Sequence, residues 1–291
     1  MMINGITYMH EHTTINLSEV KNTEDCQLDV FSETVKEYKK LYEKGVRNII
    51  DVTNFGMGRN IPYVQKVAEK TGMNIIFSTG FYQEEFYPIQ VFRKTREQLA
   101  EQMIAEIIEG IKGTNAKADI IGEIGTSYNK WTDTERKVFE AVVIAHKETN
   151  KPITTHTSIG TLGHEQVVFF KENKVDLNKV VIGHVDLTGD ADYILQMLRE
   201  GVYVEFDTIG KENYMPDRTR AEILKKIQNA GYIDRVFLSM DITRKSHLEY
   251  RNGLGYSFLL DSFIPLLHSY GITDKSIEKM LIKNPLTFMN N

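Results

Sequence analysis

With one cysteine in 291 residues, the chain can form no intramolecular disulfide, and its stability must come from a packed core. An isolated Cys26 fits a reducing compartment, so the expected location is cytoplasmic. No apolar run reaches membrane-spanning length, and no membrane partner is expected. The first twelve residues lack the long apolar stretch of a secretory leader and already contain two candidate ligands, so no removable signal peptide is expected. A basic excess is also missing. The net charge of −5 argues against a nucleic-acid surface and leaves a small molecule as the expected partner. Linkers, repeats and low-complexity tracts are absent. What remains is a globular profile, with 41% hydrophobic and 26% charged residues, long enough for one large barrel domain over residues 1–291.

Short β-branched runs recur along the chain, each followed by a stretch with helical spacing, which predicts repeated βα units and a parallel sheet. Eight strands are predicted: Gly5 to His10, Arg47 to Thr53, Asn74 to Thr79, Asp119 to Ile124, Pro152 to His156, Lys179 to His184, Val202 to Asp207 and Arg235 to Asp241. Helical segments include Glu33 to Lys44, Pro62 to Lys70, Arg96 to Ile111, Asp133 to Lys147, Asp190 to Glu200 and Asp217 to Asn229. Gly45, Gly72, Gly201 and Gly231 stand just after helices, where a left-handed residue ends the turn. A last barrel helix is expected over Tyr256 to Tyr270, with Lys275 to Lys283 as a short addition. Eight alternations predict an α/β fold closed as a (β/α)8 barrel.

In such a barrel the C-terminal ends of all strands meet at one mouth, so distant residues can share a small volume. His10 and His12, two apart in MHEHT, point to the same side of an extended strand and can grip one ion. Glu123 in IIGEIG has flanking glycines that allow close approach, and its two oxygens can bridge two ions; the alternative is a buried, paired glutamate. His156 in PITTHTS and His184 in VIGHVD end two successive strands with neutral nitrogen donors suited to zinc-like ions. Asp241 ends the eighth strand in LSMD, where it can hold a metal and accept a proton, or simply cap the next helix. Four of the eight histidines fall at strand ends, a concentration that scattered structural histidines would not give. Such a set implies two divalent ions, with zinc expected and manganese or cobalt suited to the same donors. Two ions about 3.5–4 Å apart would share a bridging hydroxide as nucleophile, with Asp241 taking its proton toward the leaving group.

The motifs MHEHT, EIGTS, TTHTS, IGHVD, FDTIGK and LSMDITRKSHL, in this order and on these strands, resemble the phosphotriesterase family of the amidohydrolase superfamily, most closely its phosphotriesterase homology protein branch. The resemblance covers nearly the whole chain. It implies that His10, His12 and Asp241 hold one metal, that His156 and His184 hold the other, and that Glu123 bridges them. Many relatives use a carboxylated lysine as the bridge; Glu123 would remove the need for carbon dioxide. The family's efficient triesterases carry a histidine after strand seven, where this chain has FDTIG with Asp207, which argues against fast triester hydrolysis. A hydrolase of carboxylic esters, foremost lactones, is therefore expected, against an organophosphate or phosphonate esterase and a non-catalytic metal-binding protein. The family also implies a homodimer.

Loops after strands seven and eight contain Lys211, Arg218, Arg220, Arg244 and Lys245, at an end of the barrel where phosphate is often recognised. An anionic substrate such as a phosphorylated sugar lactone would place its carbonyl at the metals and its phosphate against Lys211 or Arg244. Arg218 and Arg220 begin a helix and read equally well as solvated charge. Tyr82 and Tyr128 follow strands three and four and either line the pocket or pack its wall; His247 reaches the mouth or orders the last loop.

Overall fold

The computed structural model describes residues 1–290. Eight parallel strands form one sheet in sequential order: β1 (Ile6–Glu11), β2 (Val46–Asp51), β3 (Asn74–Thr79), β4 (Ala118–Thr126), β5 (Ile153–Thr157), β6 (Val180–Ile182), β7 (Tyr203–Phe206) and β8 (Val236–Leu238). Helices α1 (Phe31–Glu43), α2 (Ile61–Thr71), α3 (Arg96–Ile108), α4 (Asp133–Thr149), α5 (Gly163–Glu172), α6 (Ala191–Glu200) and α7 (Asp217–Asn229) alternate with them. Parallel strands need such crossovers, and their helices cover the outer face of the sheet. This is a (β/α)8 barrel.

Local sequence sets the helix ends. Thr95 and Thr132 start α3 and α4 with reciprocal capping boxes to Gln98 and Glu135, satisfying first-turn amides that no helical carbonyl reaches. Gly72 and Gly201 end α2 and α6 at φ 74° and 106°, where a side chain would be strained.

Two apolar layers hold the barrel. The larger lies between sheet and helices, with Leu41, Val67, Met103, Val142, Ile194 and Leu224 all buried. The smaller draws Met9, Ile50, Ile76, Ile120, Val181, Tyr203 and Phe237 from seven strands and is completed by Phe288 of the last helix, α10 (Asn284–Asn290). Phe288 packs on Tyr203 and Phe237 with ring centroids 5.1 and 5.3 Å away.

The seam between β8 and β1 is closed by side chains. The Ser239 hydroxyl accepts from the His10 amide at 3.1 Å and lies 2.8 Å from both the His10 carbonyl and Glu11 Oε1. Glu11 accepts the amides of Met240 and Ile242 at 2.7 and 3.1 Å. Burial pushes its carboxyl up to about 7, although these hydrogen bonds favour the charged form.

Three expectations need adjustment. The ladders of β6 and β8 stop at Ile182 and Leu238, so His184 and Asp241 lie beyond them, in left-handed backbone at φ 58° and 47°. Helix α5 was not foreseen. The expected helix Tyr256 to Tyr270 begins with a π turn, Leu259–Phe263, that runs into α8 (Ile264–Ser269), and the C-terminal addition is α9 (Asp274–Glu278), a π turn and α10.

Candidate active site

The six side chains named from the sequence meet at the C-terminal mouth. Glu123 is the hub: Oε2 lies 3.5 Å from His10 Nε2, 3.2 Å from His156 Nδ1 and 3.7 Å from His184 Nε2, while Oε1 lies 3.4 Å from His12 Nε2. Asp241 Oδ1 is 3.3 Å from His12 Nε2. Glycine is required around the hub. A Cβ on Gly122 would meet the Thr154 carbonyl oxygen at 2.1 Å, and one on Gly125 would meet Gln83 Cγ at 2.7 Å and His156 Cβ at 3.2 Å.

The outward nitrogens fix the imidazoles. His10 Nδ1 sits 2.9 Å from Glu205 Oε2, His184 Nδ1 lies 2.7 Å from Asp207 Oδ1, and His12 Nδ1 is 2.8 Å from Thr53 Oγ1. These partners leave the three Nε2 atoms facing Glu123, the arrangement in which an outer hydrogen bond sets tautomer and orientation. His156 is turned the other way. Its Nδ1 faces the hub, and its Nε2 has only Tyr82 Oη at 3.4 Å and Ser158 Oγ at 3.5 Å. Glu205 and Asp207 were not foreseen in this role. Their signal is in the sequence, since two acids spaced two apart in YVEFD face the same side of a buried strand.

The cluster's electrostatics match its packing. Burial lowers the proton affinity of His12 and His184, but Asp241 and Glu123 carry the first to about 9, and Asp207 with Glu123 carries the second to about 10. Burial likewise opposes a charged His10, yet Glu123 and Asp207 raise it well above the ordinary value. For His156, burial and then the neighbouring His184 outweigh the pull of Glu123 and Asp241 and take it down to about 4. Burial disfavours the Glu123 carboxylate, but the imidazoles, His10 foremost, hold it well below its usual range.

His10 Nε2, His156 Nδ1 and Glu123 Oε2 are buried and lack a hydrogen-bond partner. Buried polar atoms without partners are costly, and several converging on one point indicate a group that satisfies them all. His10, His12 and Glu123 form one set whose donor atoms lie within 4.8 Å of each other; Glu123, His156 and His184 form another. Mixed nitrogen and oxygen donors, sharing one carboxylate, fit a pair of divalent cations.

A cavity of about 490 Å³ opens above this cluster. Lys211, Arg244, Tyr82, Tyr128 and His247 all line it, as do Lys21, Glu85, Ser127, Ser158 and Tyr214. Lys211 donates to both the carbonyl, at 2.5 Å, and Oδ2 of Asp241. Burial favours the protonated form of Asp241, but Lys211 and then His12 hold its carboxyl far below the usual range. Arg244 is held loosely, 3.7 Å from Asp25, whose carboxylate accepts the Ser246 amide and hydroxyl at 2.8 and 2.6 Å.

The other basic residues do not belong here. Arg220 is fully buried and pairs with Asp186 at 2.6 Å and Asp217 at 2.9 Å, with Thr208 Oγ1 at 2.7 Å. Arg218 is exposed on the first turn of α7, and Lys245 faces Asp29 at 3.4 Å; neither lines the cavity. Lys21 was missed because it reaches the rim from the loop after β1, where it pairs with Glu85 at 3.2 Å.

The phosphotriesterase family model matches residues 3–289. The chain is 46% identical over 284 residues to the phosphotriesterase homology protein of Escherichia coli (strain K12), covering 98% of this chain and 97% of that protein. A crystal structure of the E. coli protein with phosphate in its active site superposes with a TM-score of 0.97 at 45% identity, over 99% of this chain and 100% of that one. The N-acetyltaurine hydrolase of Xenopus tropicalis is 34% identical, over 92% of this chain and 81% of its own. A lactonase from Listeria monocytogenes matches at 27% identity and a TM-score of 0.94, over 98% and 94%. The chain belongs to the phosphotriesterase family. It is a hydrolase of that family, with lactonases among its structural relatives.

Proposed function

We propose that the chain is a two-metal hydrolase that cleaves a carboxylic ester, foremost a lactone, in a substrate carrying an anionic group. The observation that carries this reading is the convergence of four imidazoles on the shared Glu123 carboxylate, with donor atoms that no protein group satisfies. In it, His10, His12 and Asp241 would hold one ion and His156 and His184 the other, with the Glu123 carboxylate shared by the two sets. Zinc is the proposed occupant, with manganese or cobalt as alternatives. A bound pair would polarise the carbonyl and supply a water ionised near neutral pH.

The chain's own residues do the rest. Glu205, Asp207 and Thr53 keep three rings aimed inward. Asp241 takes the proton of the attacking water and delivers it to the leaving oxygen. Lys211 and Arg244 hold the anionic end, and Tyr82 and Tyr128 flank the ring. Phosphate in the active site of the E. coli relative supports an anion at this mouth. Strand seven supplies Asp207 as the partner of His184, with no histidine after it to relay protons, which supports a carbon over a phosphorus centre.

A second reading is amide hydrolysis, favoured because the N-acetyltaurine hydrolase is more similar in sequence than the lactonase, at 34% against 27%. Its sulfonate would take the same cations. Metal analysis followed by a panel of phosphorylated lactones, plain lactones and N-acetyltaurine tests both. Two ions per chain, falling to one or none in Glu123→Gln, are expected; at most one ion in the unaltered protein ends the two-metal reading.

A further inference from the structure

We propose that Lys211 makes this site selective for anionic substrates because it releases Asp241 only when an anion draws its ammonium away. The inference rests on the two-metal reading above and names a gate within it. The two oxygens of Asp241 face different ways. Oδ1 points at His12 Nε2, 3.3 Å away, on the side of the ligand cluster. Oδ2, the oxygen left to accept a proton, is occupied by the Lys211 ammonium, which also donates to the Asp241 carbonyl at 2.5 Å. Only 9% of Lys211 and 13% of Asp241 is exposed, so water screens the pair weakly.

The backbone under Lys211 is fixed. Its amide donates to the Thr208 carbonyl at 3.1 Å, the preceding Gly210 amide donates to Asp217 at 3.0 Å, and the buried Arg220 donates to Thr208 Oγ1 at 2.7 Å. The movable part is the four-carbon arm, whose ammonium has three protons. Two are used on Asp241, and Arg244 lines the same cavity. A phosphate or sulfonate there supplies the counter-charge that lets the ammonium leave Asp241; a neutral substrate supplies none, and the pair persists. Hydrolysis then balances: water oxygen joins the carbonyl carbon, the carbon–oxygen bond to the leaving group breaks, and one proton passes through Asp241 Oδ2 to that leaving oxygen.

The test combines structure and kinetics. Crystals of the zinc-loaded protein grown without anions should show Lys211 on Asp241, and crystals soaked in inorganic phosphate should show it turned to the anion. Phosphate absent at saturation, or bound with Lys211 still on Asp241, overturns the proposal. In Lys211→Met, with both ions retained by metal analysis, kcat/KM for a phosphorylated lactone should fall about 10- to 100-fold, the range expected for a charge-assisted hydrogen bond. The kcat for the unphosphorylated lactone should rise several-fold. A neutral-substrate kcat that is unchanged or lower reduces Lys211 to an anion contact and overturns the gate. If the unaltered protein hydrolyses neither lactone, the ester reading fails, and the soaked crystals still decide whether Lys211 swings.

Discussion

Replacing Arg220 with alanine should destabilise the protein severely while changing none of the candidate ligands. The guanidinium is fully buried; it bonds Asp186 at 2.6 Å, Asp217 at 2.9 Å and Thr208 Oγ1 at 2.7 Å, and it donates to the Met215 carbonyl. Removing one partner of a buried ion pair leaves uncompensated charge and costs about 3–5 kcal/mol. The unfolding entropy of a chain of 291 residues, at about 2.1 cal/mol/K per residue, is on the order of 0.6 kcal/mol/K, so Tm should drop by roughly 5–8 °C. The loss should depend on pH with a definite sign. Burial raises both Asp186 and Asp217 above the ordinary carboxylate value even with Arg220 present. Without the arginine their folded values rise further, the native state binds more protons than the unfolded one, and stability falls as pH rises. Scanning calorimetry at pH 5 and pH 8 should therefore find the larger deficit at pH 8. A drop below about 1 °C, or a deficit equal at both pH values, would refute the account of Arg220 as the buried counter-ion of this loop.

Asp207→Asn should weaken metal binding by about 10- to 100-fold, since an outer partner of a ligating histidine sets its orientation. Competition against a chelator reads this directly, and unchanged affinity would remove Asp207 from that role. Metal uptake should release protons. His10, His12 and His184 are raised above the usual imidazole value, the latter two to about 9 and 10, so at pH 7 they are protonated without metal and must deprotonate to bind. Affinity should fall as pH is lowered, and calorimetry in buffers of different ionisation enthalpy should count on the order of three protons; release of none contradicts the assignment.

The barrel was legible because β-branched runs and helical stretches alternate with one rhythm, and β3 (Asn74–Thr79) and α7 (Asp217–Asn229) fall on their expected residues. Helix α5 escaped because its capping position is Leu162, at φ 64° and with no side-chain acceptor, so the usual polar start signal is missing. Strands six and eight were read too long for a functional reason: His184 and Asp241 leave the ladder to turn their side chains into the mouth. The ligand types were legible as motifs, whereas their outer partners depend on pairings across the barrel, such as His10 with Glu205, 195 residues away. Arg220 looked like surface charge because Asp186, which buries it, lies 34 residues earlier and on another strand's loop.

The side-chain seam has a consequence for how the centre comes into being. The first and last strands meet through Ser239 and Glu11, and the same junction sets His10 and His12 beside Asp241. A nascent chain that has emerged only as far as the fifth or sixth strand owns three of the four clustered histidines and Glu123 but no enclosure around them. The full cage exists only after the eighth strand docks on the first, so complete metal loading is postponed to the final step of folding.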